Sequence, residues 1–132
     1  KICDNCKEEF TTPEEVQKTI KEVLASVEKS KVIMNKDVTI ASSVKKVNAT
    51  NIKLYKGKGC DKCGKTGYHG RIGIFEVLEM SDKIGHLILE SASASQIQAV
   101  AVEEGMLTLT QDGYLRVVEG ATTLEEVMRV AE

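Results

Sequence analysis

Apolar residues recur at Val16, Ile20, Val23, Leu24 and Val27, three and four positions apart, with polar residues between them. That period predicts one buried stripe on a helix running to about Lys29. Just upstream, Thr12, Pro13 and Glu15 stand in the order of an N-cap, a first-turn proline and the acid of a capping box. The pattern then changes. Val32-Ile33-Met34 and Val38-Thr39-Ile40 have the length and β-branching of short strands, and Asn48 and Asn51 favour turns. Ile52-Lys53-Leu54-Tyr55 alternates as a half-buried strand does. Ile72, Ile74, Phe75, Val77 and Leu78 carry a second β-rich run, so an antiparallel hairpin between the two runs is expected. After Met80 the period becomes helical. Ser81-Asp82 opens a helix with Ile84, Leu87 and Ile88 inward. Ser95 and Gln98 form a capping box for a helix ending near Gly105, a C-cap glycine. Leu109, Leu115 and Val118 mark a third segment before Gly120. Thr122-Thr123-Leu124-Glu125-Glu126 caps a last helix bearing Leu124, Val127, Met128 and Val130.

The chain has 132 residues, enough for one domain or two pieces sharing a core. With 42% hydrophobic and 29% charged residues it reads as an ordinary globular sequence. The longest uncharged stretch, residues 91–102, is far short of the ~20 apolar residues of a membrane-spanning helix. No cationic leader followed by an apolar stretch opens the sequence. Lys1 stands where a complete chain would have Met, so a segment of a longer protein is expected. The net charge of -2 divides unevenly: residues 1–71 carry +6 and residues 72–132 carry -8. A basic half can serve nucleic acid. Here the positive residues are almost all Lys, interspersed with Glu, and five aromatics are too few to stack bases. A solvated lysine-rich surface is expected, with no nucleic-acid partner.

Chemistry enters with the cysteines. All four fall in two Cys-x-x-Cys pairs, Cys3 with Cys6 and Cys60 with Cys63. A two-residue spacer lets two thiolates of one tight turn reach a single ion at ~2.3 Å, and two such knuckles fill a tetrahedral zinc shell with no open position. The expectation is one structural zinc held by Cys3, Cys6, Cys60 and Cys63. Two disulfides, a redox pair or free buried thiols compete with it. A redox motif explains one pair and leaves the other unexplained. Fifty-three residues separate the pairs, against the ~15–20 of a compact zinc ribbon, so the insertion is expected to be a folded excursion. His69 is read as an exposed loop residue and His86 as a half-buried packing residue, since four sulfurs already complete the shell.

The expected fold class is therefore α+β: a zinc-knuckle β-hairpin with an inserted helix, packed on three to four short carboxyl-terminal helices. Residues 1–80 form the hairpin region, with the excursion over 12–51. Residues 81–132 form a helical subdomain sharing its core. Tyr55, Ile74, Phe75 and Leu78 are expected to face Leu87, Ile88, Leu115, Leu124 and Val127.

One further string is Gly59-Cys60-Asp61-Lys62-Cys63-Gly64-Lys65-Thr66, which fits the phosphate-loop pattern GxxxxGK[ST]. That loop needs a helix leading out, whose amides hold phosphate. Here Gly67, Gly70 and Gly73 follow and run into the β-rich segment, so the match is read as accidental and no catalytic residue is assigned.

The run from Gly59 through Gly64-Lys65-Thr66-Gly67-Tyr68-His69-Gly70-Arg71-Ile72-Gly73-Ile74-Phe75-Glu76-Val77-Leu78 resembles the tetracysteine region of the type II secretion and type IV pilus assembly ATPases. Glu104-Gly105-Met106-Leu107-Thr108-Leu109, Gln111-Asp112-Gly113 and Glu119-Gly120-Ala121-Thr122-Thr123-Leu124-Glu125-Glu126-Val127 resemble the same family's carboxyl end. The resemblance implies a cytoplasmic, hexameric motor docked on an inner-membrane platform protein, with neighbouring motor subunits as partners. It implies Cys3, Cys6, Cys60 and Cys63 as zinc ligands. It places ATP and Mg²⁺ in an upstream domain, which makes this segment an accessory part without catalysis. The alternative is a self-contained zinc module, chaperone-like or nucleic-acid-binding.

Overall fold

The computed structural model describes residues 1–25, 27 and 52–131. Along them run β1 (Lys7–Thr11), α1 (Glu14–Leu24), β2 (Lys53–Gly57), α2 (Asp82–Leu89), α3 (Ala94–Glu104), α4 (Leu109–Val118) and α5 (Leu124–Ala131), with a 3₁₀ turn at Asp61–Cys63. The expected short strands at 32–34 and 38–40 and the turns at Asn48 and Asn51 lie outside the described residues.

The architecture is α+β, and its sheet is a two-strand antiparallel pair. The partner of β2 differs from the sequence expectation. β2 pairs with β1, in the register Lys7↔Gly57, Phe10↔Leu54 and Thr11↔Lys53, and not with the run at 72–78. The cross-strand contacts give the reason. Lys53 meets Glu9 at 2.7 Å, Lys58 meets Glu8 at 2.7 Å and Lys56 meets Glu8 at 3.5 Å. Opposite charges pair across this ladder while Phe10 and Leu54 turn to the core. The run at 72–78 forms no strand. Two side-chain bonds tie it to α4 instead: Phe75 N–H donates to Asp112 Oδ2 at 3.0 Å, and Leu109 N–H donates to Glu76 Oε2 at 2.9 Å.

Helix starts follow the caps, with two shifts. Ser81 accepts from Ile84 N–H as expected, and Thr123 accepts from Glu126 N–H at the head of α5. The α3 capping box is Ser93 with Gln96, two residues earlier than Ser95 with Gln98, and Gly105 ends that helix in the left-handed region. At α1, Pro13 is the N-cap and no side chain caps. Thr12 is buried, and its carbonyl accepts from Gln17 Nε2 at 2.7 Å. Gln17 Oε1 in turn accepts from Ile52 N–H at 3.3 Å, so this glutamine joins the excursion to the entry of β2.

The core gathers Ile20, Leu24, Val27, Ile52, Leu54, Tyr114, Leu115, Val117, Val118 and Val127. Helices α4 and α5 approach closely, because a Cβ on Gly113 would lie 2.5 Å from Val127 Cγ1. Leu115 and Val127 sit in the core as expected, with Leu124 packed on its edge. Phe75, Leu78 and Ile88 do not: they are 65%, 46% and 46% exposed. No helix among the described residues is long and apolar enough to cross a membrane.

Candidate metal centre

Antiparallel pairing of β1 with β2 brings both cysteine pairs to one end of the ladder. Cys3 and Cys6 precede β1, Cys60 and Cys63 follow β2, and Lys7 lies opposite Gly57. Each pair occupies a tight turn, closed by Cys6 N–H to Cys3 O at 3.1 Å and by Cys63 N–H to Cys60 O at 3.2 Å. The turns are docked on each other through Cys3 N–H to Gly67 O at 2.9 Å and Lys58 N–H to Cys6 O at 3.0 Å. Glycine is required at this contact. A Cβ on Gly57 would lie 2.1 Å from the Gly67 carbonyl oxygen, and Gly67 itself has φ +80.

The four Sγ atoms lie within 4.8 Å of one another, and all four thiols are free. Cys3–Cys60 and Cys6–Cys63 are 3.9 Å apart, and Cys60–Cys63 are 3.7 Å apart. Sulfurs bound tetrahedrally to zinc at ~2.3 Å stand about 3.8 Å from one another. The donor set and its spacing thus fit one zinc ion. Cys3 and Cys63 are buried, while Cys6 and Cys60 form the rim. His69 and His86 are both exposed and outside the cluster. His69 contributes its backbone, donating N–H to Lys1 O at 3.0 Å; His86 is more exposed than its expected half-buried place.

Hydrogen bonds polarise the sulfurs unequally. Cys63 Sγ accepts from Cys60 N–H at 3.2 Å and Gly67 N–H at 3.3 Å. Those amides, the Cys60 N–H above all, bring its thiol down to about 6. Asn5 Nδ2 donates to Cys60 Sγ at 3.3 Å and leads the lowering of that thiol. Removal from water pushes Cys6 up to about 12, against a contact from the Gly59 backbone. Four thiolates would repel one another strongly in so small a volume, and a divalent ion held by Cys3, Cys6, Cys60 and Cys63 would level these differences by keeping all four deprotonated.

The centre is also tied to the carboxyl-terminal helices. Ile2 forms an antiparallel bridge with Tyr68 and donates its N–H to Ala121 O at 2.9 Å. Tyr68 Oη bonds Thr123 Oγ1 at 2.9 Å, the hydroxyl that caps α5. Sequence reasoning singled out the four cysteines. It missed Asn5, the Gly67 amide and the Tyr68–Thr123 link. Gly67 beyond a Cys-x-x-Cys turn was a usable signal; nothing marked Tyr68.

The phosphate-loop string folds around the cysteines. Asp61–Cys63 is a 3₁₀ turn, Gly64 and Lys65 both have φ near +60, and Thr66 donates its hydroxyl to Cys63 O at 2.7 Å. Lys65 Nζ lies 2.7 Å from Asp61 Oδ1, and Tyr68 is already in its bridge to Ile2.

A family model described as "Type II/IV secretion system protein" matches residues 1–129. The type IV pilus assembly ATPase PilB of Thermus thermophilus is 49% identical over 76 residues, 58% of this chain and 8% of its own length. PilB of Pseudomonas aeruginosa is 30% identical over 132 residues, 100% of this chain and 19% of its own. The type II secretion system ATPase E of Vibrio cholerae is 39% identical over 79 residues, 60% of this chain and 16% of its own. The chain therefore spans less than a fifth of the length of these curated relatives.

Proposed function

The chain belongs to the type II/IV secretion system protein family, and we propose that it is the structural-zinc portion of a secretion or pilus assembly ATPase. One observation carries this reading: four free thiols from two distant turns converge within 4.8 Å. Cys3, Cys6, Cys60 and Cys63 would hold the ion. A shell of four sulfurs leaves no position for water or substrate, so the ion would supply cross-linking and no Lewis-acid chemistry. Its work is to fix the end of the β1–β2 ladder and, through Ile2 and Tyr68, the head of α5. ATP hydrolysis in the whole protein belongs to residues outside this chain. The Lys65 ammonium is engaged by Asp61, and Thr66 is engaged by the knuckle backbone, which supports reading the GKT string as part of the metal turn. In the assembled motor this portion would contact neighbouring subunits and the inner-membrane platform protein, on the cytoplasmic side.

The test begins with elemental analysis of protein purified without added metal, which is expected to give close to one zinc per chain. A clearly substoichiometric value in a folded sample overturns the reading. Mg-ATP titration followed by amide shifts and phosphate release is the second arm. Saturable shifts at Gly64, Lys65 and Thr66, lost on Lys65→Ala, would instead make the chain a nucleotide-binding enzyme.

A further inference from the structure

We propose that Asn5 is a positioning residue for the metal: its side-chain amide holds the Cys60 sulfur as a ligand and tunes the electron density on it. The inference rests on the zinc reading above and concerns a residue outside the ligand set. Asn5 lies between Cys3 and Cys6 in the first turn, yet its Nδ2 reaches Cys60 Sγ on the second, 3.3 Å away. A sulfur with excess charge attracts the amide nitrogen and repels the amide oxygen, so the bond also fixes which way the side chain faces. Four thiolates on a divalent ion leave two negative charges in the shell, and N–H donors are what spread that charge. Cys63 receives its donors from the backbone of Cys60 and Gly67. Cys60 stands at the rim; its own turn offers it the Cys63 N–H, and the Asn5 amide is the nitrogen donor that reaches it from the other cysteine pair. Lys58 and Lys65 are engaged elsewhere, by Glu8 and by Asp61, each at 2.7 Å. The bond also crosses between the two knuckles, so it aligns the second pair for an ion already held by the first.

The experiment compares the unaltered chain with Asn5→Ala and Asn5→Asp. Zinc affinity is read by competition with a chromophoric chelator, and the sulfur-to-metal charge-transfer band is read on cobalt-substituted protein. Losing the donor is expected to weaken zinc about tenfold or more. Asn5→Asp, the same shape with an acceptor in place of the donor, is expected to weaken it further. Without the hydrogen bond the sulfur gives up charge more easily, so the cobalt band of Asn5→Ala moves to longer wavelength. A turn-forming role alone would leave Asn5→Asp tight, since Asp serves turns as well as Asn, and would leave the band in place. Unchanged affinity and an unmoved band in the variants overturn the role of Asn5 alone. Failure of the unaltered chain to take up zinc overturns the metal reading and this inference with it. Should Asn5→Ala fail to fold, Asn5→Asp decides the matter.

Discussion

A methyl group at position 67 meets two obstacles. The backbone there has φ +80, and a Cβ would lie 2.6 Å from the Gly57 carbonyl oxygen. The left-handed conformation costs a non-glycine residue about 1–2 kcal/mol, and forcing apart two packed backbones adds about 1–3 kcal/mol. Gly67→Ala is expected to lose several kcal/mol in urea unfolding and to release zinc more readily, since the Gly67 N–H also serves Cys63. His69→Ala is expected to change neither melting temperature nor zinc content, whereas Cys60→Ser is expected to lower both markedly. Differential scanning calorimetry with metal analysis checks all three. At this scale the sequence was legible where chemistry is rare. Four cysteines in two equal spacings announce a cluster, because few residue types bind zinc. Asn5 gave no such signal, because an Asn in a turn has an ordinary reason to be there.

Elements were legible where periodicity is strong and obscure where two segments compete for one partner. The α1 stripe was read correctly as far as Leu24, because Ile20 and Leu24 recur on one face, but the helix ends there and not near Lys29 as expected. The sheet was misread because the run at 72–78 has far more β-branched and apolar residues than Lys7-Glu8-Glu9-Phe10-Thr11. Pairing was decided by what stands opposite each residue, and a single strand's composition cannot express that. The ladder makes a testable statement about pH. The Lys58 ammonium hydrogen-bonded to Glu8 holds that carboxyl below its ordinary value. A carboxyl depressed in the folded state adds stability above its unfolded pKa, and that contribution disappears as pH falls through the folded value. Glu8→Gln is therefore expected to lower the urea midpoint modestly at pH 7, with a smaller difference at pH 3, below the ~4.3 of an unfolded glutamate. An equal difference at both pH values would show that the ion pair is not its source.

The molecule as a whole is held by side chains drawn from both ends of the sequence. Ile20, Leu24, Ile52 and Leu54 pack with Tyr114, Leu115, Val117, Val118 and Val127. We propose on this basis that residues 1–80 and 81–132 are two regions of one cooperative unit. Cutting the chain after Met80 would leave the first group without its cover, and the fragment is expected to aggregate or lose amide shift dispersion. A soluble fragment with native-like dispersion would sink the shared core. Leu115→Ala, at 1% exposure, is expected to cost about 2–5 kcal/mol, read as a shift in the chemical denaturation midpoint with an unchanged slope. That long-range core was only half legible: Leu115 and Val127 follow from helical period, while Phe75 and Leu78 were assigned to it on hydrophobicity alone and lie 65% and 46% exposed.

The order of the ladder has a further consequence. The metal turns lie at the Lys7–Gly57 end, and the chain between the strands departs and returns at the Thr11–Lys53 end. The clasp and the opening of the purse are thus at opposite ends. Lengthening such a detour costs only about 0.6 kcal/mol per doubling, provided α1 still delivers Ile20 and Leu24 to the core. Added length beyond α1 is therefore expected to leave the clasp in place. An insertion of unrelated residues between Val27 and Ile52 is expected to leave zinc content unchanged, which elemental analysis checks, and would then serve as a handle for tethering or labelling.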